Sequence, residues 1–183
     1  AYDYKIFWNQ KYGGISRYFV NLFNQLNKNQ IDYVVFAPFY KNKFLKELPK
    51  NNIKGKYFDD KIPFTSNLFQ FLNEKICNRE LKRSSPDLIH YTYYSKNIQK
   101  KTKTVITVYD LIHEKISLDK GEIILPRKKM IESADHIICI SETTKNELID
   151  FYKVDVNKIS VTYLGANHFS LNENNFPRDI NFP

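Results

Sequence analysis

Residues 10–26 read QKYGGISRYFVNLFNQL, and their periodicity decides the fold. Ile15, Phe19, Leu22 and Leu26 recur at three- and four-residue steps, while Arg17, Asn21, Asn24 and Gln25 fall elsewhere, so the spacing predicts a helix with one apolar face. Such a face requires a sheet to pack on. Gly13 and Gly14 stand where this helix would begin, where unpaired backbone N–H groups and the positive end of the helix dipole converge. Without side chains there, a phosphate or a sugar hydroxyl has access to the backbone. A tight turn that merely uses glycine for its conformational freedom is the plainer reading, and the dipeptide alone leaves both open.

Working outward, Ala1 to Tyr4 reads as the tail of a first strand with Asp3 at its end, and Lys5 to Tyr12 as a polar-aromatic loop delivering the glycines. Ile31 to Pro38 is an apolar run of strand length, which completes a β-α-β unit and implies a parallel sheet. Lys41 to Leu48 reads as a short helix and Pro49 to Pro63 as irregular chain. Leu68, Phe69, Leu72, Ile76 and Leu81 mark a second amphipathic helix over Ser66 to Arg83, with Lys75, Arg79, Lys82 and Arg83 on its polar side. Strands follow at Asp87 to Tyr91, Lys103 to Tyr109, His136 to Ile140 and Lys158 to Leu164. Between them come a helix over Glu122 to Ala134 and another capped by Ser141 and running to about Phe151, with Glu142 suiting its dipole. The expected architecture is α/β: a Rossmann-like open parallel sheet of about six strands with helices on both faces. Ligands of such sheets bind beyond the carboxyl ends of the strands, and Gly13, Gly14, His90, Tyr91, Tyr109, Asp110, His113 and Ser141 all follow strand runs.

The 183 residues, 42% of them hydrophobic, suit one domain with a single core. Twenty-eight aromatic side chains supply much of its volume. A formal charge of +8 and a pI near 9.3 favour an anionic partner or simply a solvated surface. Cys77 and Cys139 are too few for a disulfide framework and fit a reducing cytoplasm, Cys139 reading as a buried thiol. No apolar run approaches the ~20 residues that cross a bilayer, and no signal-peptide pattern is read at the N-terminus. The sequence has no G-x-G-x-x-G and no phosphate-binding Gly-Lys-Ser/Thr loop, so no dinucleotide or other cofactor is expected. His90, His113, His136 and His168 lack zinc-site spacing, and Ser95 and Ser141 lack the turn of a serine hydrolase.

Four segments remain distinctive: YGGISRYF, PDLIHYTYY, TVITVYDLIHE, and ADHIICISETTKNEL followed by KISVTYLG. Together they resemble the N-terminal half of a glycosyltransferase of family 4, a group of retaining enzymes with the two-domain GT-B fold. The resemblance runs from Ala1 to about residue 169, with 170–183 as linker or tail. It implies a place for Gly13 and Gly14 near the donor diphosphate and the acceptor. Family members often carry His-Asp where this chain has Tyr109-Asp110; a phenol cannot shuttle a proton near neutral pH, so the resemblance assigns no catalytic residue. Asp110 and His113 are candidates for gripping acceptor hydroxyls, or else for a strand-end cap and a satisfied histidine. The implied substrates are a nucleotide-sugar donor and a glycan or lipid-linked acceptor, in the synthesis of cell-surface polysaccharide or lipopolysaccharide. The donor is held mainly by a C-terminal domain, which is not among these residues, so residues 1–183 are expected to be inactive alone.

The alternative is a non-catalytic module binding phosphate or nucleic acid. Nucleic acid is disfavoured because most aromatics fall on periodic apolar faces rather than beside exposed cations. The basic helix over Ser66 to Arg83 leaves open a peripheral contact with an anionic membrane surface, at the inner face of the cytoplasmic membrane.

Overall fold

The computed structural model describes residues 1–58, 66–95, 97–116 and 124–165. His168, the segment 170–183, the start of the helix expected from Glu122 and the end of the irregular stretch at Pro63 lie outside these residues.

Six strands, all paired in parallel, build the sheet: β1 (Val35–Tyr40), β2 (Ile53–Tyr57), β3 (Leu88–Tyr91), β4 (Lys103–Val108), β5 (His136–Cys139) and β6 (Ile159–Val161). β1 pairs with β2, and β3 to β6 pair in sequence order. Tyr2 joins the two sets, bridging Val35 on one side and His90 on the other. The first strand is thus one residue of bridge at the middle of the sheet, and strand order reverses beside it. That is where an open α/β sheet forms its ligand crevice.

Helices follow the strands: α1 (Lys5–Asn9), α2 (Gly14–Lys28), α3 (Lys43–Lys46), α4 (Ser66–Ser84), α5 (Ile112–Ile116), α6 (Ile124–Ser133) and α7 (Glu142–Tyr152). Side chains alternate across a strand, and the alternation here separates two helix layers. Tyr2 and His90 face α2, where Phe19 lies 6.0 Å from the Tyr2 ring and 5.1 Å from His90. Asp3 and Tyr91 face the opposite way, toward Cys77 and Glu74 of α4. The central core is aromatic: Phe7, Phe19 and Phe23 are fully buried, and Phe23 stacks on Tyr33 at 5.1 Å.

Three expectations are corrected. The segment from Lys5 is not a polar loop: α1 buries Ile6, Phe7 and Trp8, and the Ile6 amide donates to Thr92 Oγ1. The irregular stretch after Pro49 contains β2, an exposed edge strand whose IKGKY sequence has too few apolar residues to show a period. The inward row of α4 is Asn73, Cys77 and Leu81, whereas Leu68 is 57% exposed. Asn73 is buried because it completes β1: its Oδ1 accepts from the Phe39 amide at 2.8 Å and its Nδ2 donates to the Phe39 carbonyl at 3.0 Å. The β1–β2 register shifts between Phe36 and Phe39, around Pro38, which has no amide to donate. A side-chain amide takes the place of the lost ladder.

Candidate functional site

The glycine turn is held from below. Asn42, fully buried, donates from Nδ2 to the Gln10 carbonyl at 2.8 Å and accepts the Leu45 amide at 2.9 Å, so the chain ahead of α2 is tied to the start of α3. Gln10 then reaches across Gly13, and its Oε1 accepts the Ser16 amide at 3.3 Å. This supplies the helix start with a cap that Gly13 has no side chain to provide. Gly13 itself is extended, at φ 175° and ψ 157°, and any residue adopts that backbone. What it requires is space, since a Cβ there would stand 2.1 Å from Gln10 Oε1. Gly14 differs: nothing lies within 4 Å of where its Cβ would be. It opens onto a groove of about 460 Å³ lined by Arg17, Tyr18, Asn21, Thr162, Leu164 and Gly165. The two glycines therefore do different work, one making room for a cap and the other leaving the helix start accessible.

Tyr18, one helical turn on, links this groove to the end of β4, its ring 5.9 Å from that of Tyr109. Burial, with Tyr18 and Tyr94 alongside, pushes the Tyr109 phenol far above its ordinary range, so it stays protonated. Its buried Oη has no hydrogen-bond partner among the described residues. Asp110 is exposed, and its Oδ1 accepts the Ile112 amide at 3.2 Å in an Asx turn leading into α5. His113 follows in α5, half-buried. Ser141 caps α7, accepting the Thr144 amide at 3.1 Å, and Thr144 Oγ1 reaches the Tyr109 carbonyl at 3.4 Å. The carboxyl ends of β4 and β5 are thereby laced together, as the sequence positions of Tyr109, Asp110, His113 and Ser141 imply.

His90 and Tyr91 stand apart from this rim. His90 is 5% exposed beneath α2, with Nε2 2.9 Å from Thr107 Oγ1, and burial lowers its pKa to about 4. It is a neutral, buried imidazole packed between Tyr2 and Phe19. Tyr91 is also buried, on the α4 side, where its hydroxyl accepts the Gln99 amide.

Several residues of the site escape a reading by spacing. Arg127 is 3% exposed at the side chain, pairs with Glu114 Oε2 at 2.7 Å and donates to the Asp110 carbonyl at 2.9 Å. Its guanidinium also covers the Tyr94 ring at 4.5 Å, and the Tyr152 hydroxyl donates to Glu114. A buried ion pair thus clamps the turn carrying Asp110 and His113 against α6 and α7. Two charged residues thirteen apart on different short helices leave no periodic signal, so only their meeting in space reveals them. Among the described residues no His, Cys, Asp and Glu cluster could hold a metal, and no helix is long and apolar enough to cross a membrane.

No curated protein sequence matches the chain significantly. The family model for Glycosyltransferase Family 4 matches residues 12–168, a span that takes in the glycine turn, the Tyr109–His113 segment and the Ser141 cap, and the chain therefore belongs to glycosyltransferase family 4.

Proposed function

We propose that this chain is the acceptor-side domain of a retaining glycosyltransferase, moving a sugar from a nucleotide-sugar donor to a glycan or lipid-linked acceptor in cell-surface polysaccharide or lipopolysaccharide synthesis. The observation that carries this reading is the open start of α2 at Gly14, facing a groove at the carboxyl ends of the strands in a family 4 chain. Backbone N–H groups and the helix dipole there favour an anion such as a diphosphate. Tyr109, locked as a neutral phenol, is no general base. The reaction then rests on positioning and charge stabilisation, with the leaving diphosphate assisting the incoming hydroxyl. Asp110, one oxygen engaged by the Ile112 amide, presents the carboxylate suited to acceptor hydroxyls. A second domain would carry most of the donor site. Work on a lipid-linked acceptor would place the enzyme at the inner face of the cytoplasmic membrane, with exposed Leu68 and Phe71 of α4 giving an apolar contact.

The test is Gly14→Val in the enzyme with its donor domain, assayed for transfer from a panel of nucleotide sugars. The added side chain meets no neighbour in the fold, so melting temperature should hold within a few degrees while transfer falls by at least about tenfold, or about 1.4 kcal/mol of barrier. A folded variant with normal turnover would reduce the glycines to a turn.

A further inference from the structure

A groove larger than that at the glycine turn lies elsewhere among the described residues. It is a groove of about 850 Å³ between α4 and α6, reaching the amino-terminal ends of β4 and β5 at Thr104 and Asp135. Five cations line it, Lys75, Arg79, Lys82, Lys100 and Lys129, contributed by α4, the β3–β4 connection and α6. Its two carboxylates are already engaged. Glu74 is held by Lys5 at 3.1 Å and by Tyr4 and Asn97, and Asp135 by Lys103 at 2.9 Å and the Thr104 amide at 2.8 Å. Lys75, Lys82 and Lys100 are exposed and have no carboxylate partner among the described residues.

We propose that this groove binds an acidic glycan chain, at a site separate from the glycine-turn groove. Lys75, Arg79 and Lys82 lie at i, i+4 and i+7, one stripe of a helix spanning about 10 Å at 1.5 Å per residue. A row of cations of that length matches charges repeated along a chain better than a single anion. Between the cations stand amides and hydroxyls, from Asn78, Gln99, Thr102 and Ser133, the groups that pair with sugar hydroxyls. Among the described residues no aromatic side chain lines the groove, so these residues offer no platform for stacked bases, which disfavours a nucleic acid. A concave groove also suits a strand of polymer better than the flat surface of a bilayer. The inference goes beyond the transferase reading and does not depend on it.

The test uses the 183-residue chain and a fluorescently labelled heparin-derived hexasaccharide at low salt. The triple variant K75A/K82A/K100A should bind it at least about tenfold more weakly than wild type. A second triple variant, K28A/K50A/K54A, removes the same charge from exposed positions elsewhere and should change binding by less than about twofold. A neutral hexasaccharide should bind more weakly than the acidic one, and tighter binding of the acidic chain confined to the groove lysines supports the assignment. Equal loss in both triple variants, or no binding, would reduce the effect to net charge. Tighter binding of a single-stranded oligonucleotide of equal charge, or of anionic phosphatidylglycerol vesicles, through the same three lysines would also overturn it. Transfer by the Gly14→Val enzyme is a separate measurement, so failure here leaves that reading standing.

Discussion

Asp110 is tied down at both ends: its side chain accepts the Ile112 amide in an Asx turn leading into α5, and its carbonyl receives Arg127. Asparagine retains an Oδ1 acceptor, so Asp110→Asn should keep the bond to the Ile112 amide and leave the melting temperature nearly unchanged. The expected loss is in acceptor use, with KM for the acceptor rising, and a large drop in melting temperature with normal acceptor kinetics would make the carboxylate purely structural. His90 and Asp3 carry opposite pH signatures. Burial depresses His90 to about 4, so its contribution is present above its unfolded value near 6.5 and is lost as pH falls toward 4. Burial raises Asp3 to about 6 despite hydrogen bonds from Thr92, so its contribution is present at low pH and is lost as pH rises through 6. Between pH 4 and 6 the two oppose each other. His90→Gln should therefore remove an acid-side destabilisation of about 2 kcal/mol between pH 7 and 4.5, read from urea midpoints at the two pH values. A variant whose pH dependence matches wild type would show that the imidazole is not shielded as its burial implies.

Among elements, the β1–β2 edge and the α5 clamp each rest on a few polar contacts. Asn73→Ala would leave the half-buried Phe39 amide and carbonyl without their partner and should cost about 1–3 kcal/mol in chemical denaturation. A loss below 1 kcal/mol would mean that water reaches both groups. Gly55 sits opposite the same irregularity, where a Cβ would stand 1.6 Å from the Ala37 carbonyl, which explains a glycine inside a strand. Arg127→Ala leaves Glu114 buried without its partner, with an expected cost of about 3–5 kcal/mol. Arg127→Met with Glu114→Leu, which removes both charges, should recover most of that loss. Failure to recover would show that the contacts to Asp110 and Tyr94, rather than the ion pair, hold the turn. The sequence shows the extent of α2 to within about two residues, but its fully buried row is Ser16, Phe19, Val20 and Phe23, with Ile15, Leu22 and Leu26 only partly buried beside it. It shows α4 but misplaces its inner face, because Asn73 is buried for hydrogen bonding, which no apolar period detects.

For the molecule as a whole, the expected behaviour of residues 1–183 alone is folding without sugar transfer. They hold their own core, with Phe7, Phe19, Ile89, Ile137 and Leu148 buried. Donor orientation and diphosphate neutralisation by a second domain would each be worth several kcal/mol of barrier, so their loss should push turnover below detection. Calorimetric titration with nucleotide sugars should show weak binding at most, and supplying the donor domain separately is the control for transfer. Tight donor binding or measurable transfer by these residues alone would mean that the site is misassigned.

What the sequence determined by itself was the alternation of short apolar runs and amphipathic helices, hence the parallel sheet, the glycine pair at the start of α2, and the placing of Tyr109, Asp110, His113 and Ser141 after strands. Those features are local, written in spacing over a few residues. Only the tertiary structure decided that Tyr2 bridges the two halves of the sheet, that the Gln10 side chain lies over Gly13, and that His90 is sealed beneath Phe19. It also decided that Arg127 meets Glu114 and that five scattered cations line one groove. Each of these is a meeting of residues distant in the chain, and the order of strands in the sheet, not the order of residues in the sequence, brings them together.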